Sequence, residues 1–128
     1  MVKGIEHVAI FSHDTEALRD WYTGMFDLKV VYDNGKGTYF LAFPSGDMIE
    51  MVKSDMTQEP QSDKQCGIRH LALAIDADKF DAMVSKLKTG GAEVVTDVTE
   101  APNGIKTFFF RDPQGNVSHL IYRPNALV

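Results

Sequence analysis

The chain has 128 residues, 44% of them hydrophobic and 24% charged, with a net charge of −5. That is one domain's length with an ordinary globular balance, which excludes a disordered tail; the acidic surplus and the lack of clustered Lys and Arg exclude a nucleic-acid surface, because phosphate binding needs basic residues. No window approaches the roughly 20 apolar residues of a membrane span and no apolar signal run opens the chain, so a cytoplasmic protein is expected, with the lone Cys66 a small buried hydrophobe that can form no intrachain disulfide.

Residues 5–11 alternate as a strand does, and Asp14 is then placed to cap a helix whose apolar face is Leu18, Trp21, Tyr22 and Met25. A short β-branched run at 28–32, turn residues at 33–37, an alternating strand at 38–43, a Pro-Ser-Gly-Asp turn and a strand at 48–53 complete a βαβββ order. The polar stretch 54–66 contains Pro60 and has no period, and it reads as a linker or hinge. Beyond it the order repeats. A strand is expected at 68–75, with Asp76 as cap, and the next helix face is Phe80, Met83, Val84 and Leu87, stopped by Gly90-Gly91. Strands at 93–98, 106–111 and 116–122 follow. The expected organisation is a single domain, 1–128, made of one module at 1–53 and a second at 67–128.

The repeat is visible residue by residue. The run Gly4 to Ile10 returns as Gly67 to Leu73, which pairs His7 with His70 at an offset of 63. The stretch 34–52 returns as 103–121, with Asn34/Asn103, Gly35/Gly104, Thr38/Thr107, Phe40/Phe109, Pro44/Pro113 and Gly46/Gly115 identical, and pairs Glu50 with His119. A fixed period marks a duplicated supersecondary unit. Here it also aligns four residues of metal-ligand type, each assigned to a strand and each with apolar neighbours two positions away. A carboxylate in such company is costly unless paired or bound to a cation. His13 falls outside the pattern and reads as an exposed residue beside the Asp14 cap.

The doubled βαβββ module, the opening Ile-Glu-His-Val-Ala-Ile, Trp21-Tyr22 and the turn Arg111-Asp112-Pro113-Gln114-Gly115-Asn116 resemble the vicinal oxygen chelate superfamily, and Gly37-Thr38-Tyr39-Phe40-Leu41 is similar to its lactoylglutathione lyase-like members. The resemblance implies an α+β fold in which two repeated modules form curved mixed sheets around a metal-containing cavity. It implies that His7, Glu50, His70 and His119 converge on one divalent ion (Zn, Ni, Co or Fe(II)), that the substrate is a small molecule, and that modules can pair across a homodimer. Tyr39, Leu41, Phe43, Phe108 and Phe110 are the expected pocket walls, with core or dimer-interface packing an alternative of at least equal weight.

One departure shapes the expected chemistry. Glyoxalase and dioxygenase patterns typically carry Glu where this chain has His119. An imidazole bound through one nitrogen cannot take a proton with that nitrogen, so the base becomes Glu50 or a metal-bound hydroxide. One carboxylate on a divalent ion leaves a net positive site, which favours an anionic enediolate. The expected function is a metal-dependent lyase or isomerase of the glyoxalase type acting on vicinal oxygens, with an extradiol-type dioxygenase or a drug-binding resistance protein as alternatives. Three imidazole ligands imply that metal affinity falls below about pH 6.5, the ordinary histidine value.

Overall fold

The computed structural model describes residues 1–57, 59 and 64–128. The chain folds as two compact units, Met1–Glu59 and Pro60–Val128. Residues 58 and 60–63 of the expected linker lie outside the described residues; its other residues form no helix or strand. Among the described residues no helix is long and apolar enough to cross a membrane.

The first unit contains β1 (His7–Ser12), α1 (Thr15–Phe26), β2 (Lys29–Asp33), β3 (Tyr39–Ala42) and β4 (Met48–Lys53). The sheet order is β1-β4-β3-β2, with β1 parallel to β4 and the other pairs antiparallel. Helix α1 starts as expected: the Asp14 carboxylate accepts a bond of 3.0 Å from the Ala17 amide, satisfying one of the helix's orphan N–H groups. It ends at Asp27 in the left-handed region, a conformation that Asp tolerates better than bulkier residues. Leu18, Tyr22 and Met25 are buried, while Trp21 is half-buried and sets its ring edgewise on Tyr22 and Phe26. The helix packs on β1, β3 and β4.

The second unit repeats the plan with β5 (Leu71–Ala74), α2 (Ala77–Thr89), β6 (Glu93–Glu100), β7 (Lys106–Arg111) and β8 (Val117–Tyr122), in the order β5-β8-β7-β6. Again the first and last strands pair in parallel. Phe80, Val84 and Leu87 bury the inner face of α2, Met83 is half-buried, and Asp76 occupies the cap position without making a side-chain cap bond. Gly91 follows the helix at φ 80°, a left-handed turn that glycine takes without strain. The repeat identity Gly46/Gly115 has the same cause: both sit in the left-handed region, at φ 96° and 97°, and each donates its N–H over 2.9 Å to the carbonyl three residues before. The α+β architecture of two four-stranded mixed sheets and two helices is therefore the one expected.

Two local expectations are corrected, and for four of the pocket-wall residues the core-packing alternative applies. The first strands begin later than the alternation suggested, so Ile5 and Ile68 stand outside them and are 81% and 82% exposed. Cys66 is an exposed free thiol, because its segment is irregular and carries no packed face. Tyr39, Leu41, Phe108 and Phe110 are core residues, between 0% and 4% exposed. They face the helices: the Arg19 guanidinium of α1 lies 4.7 Å over the Tyr39 ring, and the Lys88 ammonium of α2 lies 5.7 Å over the Phe108 ring. Phe43 lies beyond the end of β3 and is half-buried at the turn.

Candidate metal-binding site

In the first unit His7 opens β1 and Glu50 lies in the middle of β4. The parallel register sets Ala9 opposite Glu50 and His7 opposite Met48, so period-two alternation puts both candidate donors on one sheet face. His7 Nε2 stands 3.6 Å from Glu50 Oε1. The other ring nitrogen, Nδ1, bonds the Glu6 carboxylate. Phe40, the register partner of Glu50 on β3, meets the His7 ring edge-to-face with centroids 5.2 Å apart.

The second unit builds its pair at the equivalent places. His119 lies within β8, with Ala72 and Phe109 as its register neighbours on β5 and β7. His70 immediately precedes β5 rather than sitting inside it, which corrects the expectation of four strand-borne donors. The two imidazoles have centroids 4.3 Å apart, and the Phe109 ring lies 4.4 Å from His119 and 5.4 Å from His70. The Arg69 guanidinium sits 5.3 Å over Phe109. His119 is 6% exposed, and burial, with help from His70, Arg69 and Arg123, lowers its pKa to about 4; burial, then Arg69, also lowers that of His70. Both rings are thus held in the neutral form that binds metals.

Each unit therefore brings two of the four candidate donors together, and among the described residues no group of three or more His, Cys, Asp or Glu is placed to hold a metal ion. Phe40 and Phe109, the aromatic residues set against the donor imidazoles, lie one position along from the expected walls. Their identity in the repeat was the signal for them. Glu6 and Arg69 carried no such signal, since the repeat sets opposite charges at that position. His13 is exposed as expected and engages the Met56 carbonyl through Nε2 at 2.6 Å.

The donors suit a divalent cation. Bonds of about 2.1 Å separate two adjacent donor atoms by about 3.4 Å at a tetrahedral angle and about 3.0 Å at an octahedral one, so the 3.6 Å His7–Glu50 pair needs to close by a few tenths of an ångström. In the second unit the Nδ1 atoms of His70 and His119 are buried without a hydrogen-bond partner, which is unfavourable for a polar atom until a ligand satisfies it.

The low value for His119 has a measurable consequence in metal-free protein. Between about pH 6.5 and 4 the unfolded chain binds the proton that folded His119 refuses, so the stability is fully present above about 6.5 and drains away as the pH falls towards 4. The loss is on the order of 3 kcal/mol from this ring, and His70 adds to it in the same direction. Denaturant midpoints measured from pH 7 to pH 4 should fall less steeply for His119→Gln than for the native protein; parallel slopes would show that the buried imidazole is not the source. The same shifts mean that protons compete with metal at these two rings at lower pH than an ordinary histidine implies.

A family model described as Glyoxalase/Bleomycin resistance protein/Dioxygenase superfamily matches residues 4–120. Biphenyl-2,3-diol 1,2-dioxygenase 2 of Rhodococcus globerulus is 30% identical over 118 residues, covering 89% of this chain and 60% of the dioxygenase, so the chain spans less than two thirds of that relative. A glyoxalase/dioxygenase structure from Nostoc punctiforme superposes with a TM-score of 0.85 at 19% identity, covering 96% of this chain and 92% of the other. A single-residue variant of the fosfomycin resistance protein FosX from Listeria monocytogenes, complexed with Mn(II) and 1S,2S-dihydroxypropylphosphonic acid, superposes with a TM-score of 0.80 at 19% identity over 99% of this chain and 94% of the other.

Proposed function

This chain belongs to the Glyoxalase/Bleomycin resistance protein/Dioxygenase superfamily, and from that premise we propose that it is a metal-dependent lyase or isomerase acting through an enediolate on a small substrate with vicinal oxygens. The four donors in this reading are His7 with Glu50 in one unit and His70 with His119 in the other. The observation that carries it is the repetition of one arrangement: in both units a donor pair joins the first and last strands, beside the phenylalanine that is the register partner of the last-strand donor. A cation so held would polarise two adjacent substrate oxygens and acidify the proton on the hydroxyl-bearing carbon beside the carbonyl.

The chain's own residues divide the remaining work. Glu50 takes that proton on its carboxylate and delivers a proton to the neighbouring carbon, while the substrate's hydroxyl proton passes to the former carbonyl oxygen, which balances the isomerisation without an outside acid. His119 stays neutral and so cannot quench the base by offering a competing proton. Phe40 and Phe109 restrict the imidazoles they touch and keep water from that side of the rings. A homodimer in a reducing, cytoplasmic setting goes with this reading, as Cys66 would there remain a thiol.

The test is elemental analysis of protein expressed in metal-supplemented medium, followed by deuterium wash-in from D2O into a panel of hemithioacetals and α-hydroxyketones. About one metal per chain and metal-dependent exchange at the hydroxyl-bearing carbon are expected. His119→Glu, which restores the family's usual carboxylate, should raise hemithioacetal turnover. The similarity to a biphenyl-diol dioxygenase favours a second reading, catechol cleavage with Fe(II). Catechol-dependent oxygen uptake without deuterium exchange would select it. Four protein donors oppose it, because a two-His, one-carboxylate triad leaves more open positions for catechol and oxygen.

A further inference from the structure

We propose that Glu6 is a positioning residue for His7: its carboxylate accepts the Nδ1–H of the ring and so commits Nε2, the nitrogen facing Glu50, to binding a cation. The inference rests on the four-donor reading above and assigns a role to a residue outside it.

A neutral imidazole has one N–H and one lone pair, and the partner that one nitrogen finds decides where the proton sits. For His7 both partners are carboxylates. Glu6 Oε2 is bonded to Nδ1, while Glu50 Oε1 stands 3.6 Å from Nε2, beyond a good hydrogen bond. An ionised carboxylate only accepts, so the closer contact draws the proton to Nδ1. The Nε2 lone pair is then left opposite a carboxylate oxygen, a repulsive pairing that a cation between them turns into an attraction. A carboxylate behind a ligand imidazole also increases its basicity and fixes its rotation. Glu6 can take this position because it precedes β1, so strand alternation does not force it to the face opposite His7. Phe40 holds another side of the ring.

The second unit shows what happens without such a partner. The repeat offset of 63 places Arg69 where the first unit has Glu6. A guanidinium has no acceptor to offer an imidazole N–H. Arg69 instead lies over Phe109, and His70 Nδ1 is among the buried atoms without a hydrogen bond. The two halves therefore differ in preparation: the His7 tautomer is preset, that of His70 is not.

The test compares native protein with Glu6→Ala, Glu6→Gln and Arg69→Ala. Long-range nitrogen–proton NMR of the metal-free protein at pH 9 reads the tautomer of His7, and zinc titration reads affinity. Native protein should show Nδ1–H. Glu6→Ala should move the proton to Nε2 and weaken zinc binding roughly 10- to 100-fold. Glu6→Gln keeps an amide oxygen to accept the N–H and should recover the tautomer and part of the affinity. Arg69→Ala removes a cation and should not weaken binding. An unchanged tautomer, or unchanged zinc affinity, in Glu6→Ala overturns the proposal. Native protein that takes up no zinc overturns the four-donor reading instead, and the tautomer comparison then decides the role of Glu6 alone.

Discussion

Replacing Glu50 with alanine is expected to strip the protein of metal and of turnover while leaving it folded. In the proposed set Glu50 supplies the one carboxylate among imidazoles, so its loss would take away the negative charge among the donors and leave His7 Nε2 facing no second donor. Metal affinity should fall by more than about 100-fold, a larger effect than outer-sphere changes produce. Turnover should fall by about 10²–10⁴ beyond that, the contribution of a positioned general base, measured at saturating metal. The side chain is 22% exposed and fills no closed core, so the thermal midpoint of the metal-free variant should stay close to that of the native protein. Glu50→Gln separates the two roles: the amide oxygen can still approach a cation but cannot hold the substrate proton, so turnover should fall further than affinity. An alanine variant that retained its metal would remove Glu50 from the ligand set.

The second large effect concerns three consecutive phenylalanines. Phe108→Ala or Phe110→Ala should destabilise the protein by about 3–5 kcal/mol, because each empties a fully buried ring's volume beneath α2. Against a total stability of about 5–15 kcal/mol, either change unfolds a large fraction of molecules under mild stress. Phe109→Ala, on the opposite face and half-buried, should cost about 1–2 kcal/mol by the same transfer reasoning. It should instead loosen His70 and His119, whose rings it touches, and lower metal affinity several-fold. Chemical denaturation of the three variants checks the order. Equal losses at all three positions would place Phe109 in the same core as its neighbours.

That contrast also shows what could be read from sequence. Strand type and order were legible because periods of two and 3.6 survive in both copies: Leu18, Tyr22 and Met25 in one helix, and Phe80, Val84 and Leu87 in the other, are buried as their spacing implied. Which face of a strand meets the helix was not, since Phe108, Phe109 and Phe110 are chemically identical and alternation alone has no sign. The helices supply the sign, and they set Tyr39 and Phe108 inward, leaving Phe40 and Phe109 beside the histidines. The donors themselves stood out as duplicated ligand types on repeat-related positions. Glu6 did not, because an exposed glutamate before a strand resembles any surface charge until its carboxylate is seen against the His7 ring. Cys66 misled for a related reason: a lone cysteine is usually buried, but its irregular segment has no apolar face to bury it with.

The pairing of the first strand with the last in each unit governs when these donors can meet. His7 and Glu50, like His70 and His119, are brought together only by the parallel contacts of β1 with β4 and β5 with β8, across the full length of a module. The hairpins formed by β3 with β4 and by β7 with β8 can close early on local contacts, whereas the parallel ladder must first overcome the entropy of closing a loop several times longer. Each donor pair is therefore expected to assemble at the end of its module's folding path, and a cation bridging such a pair would bind only a module that has finished folding.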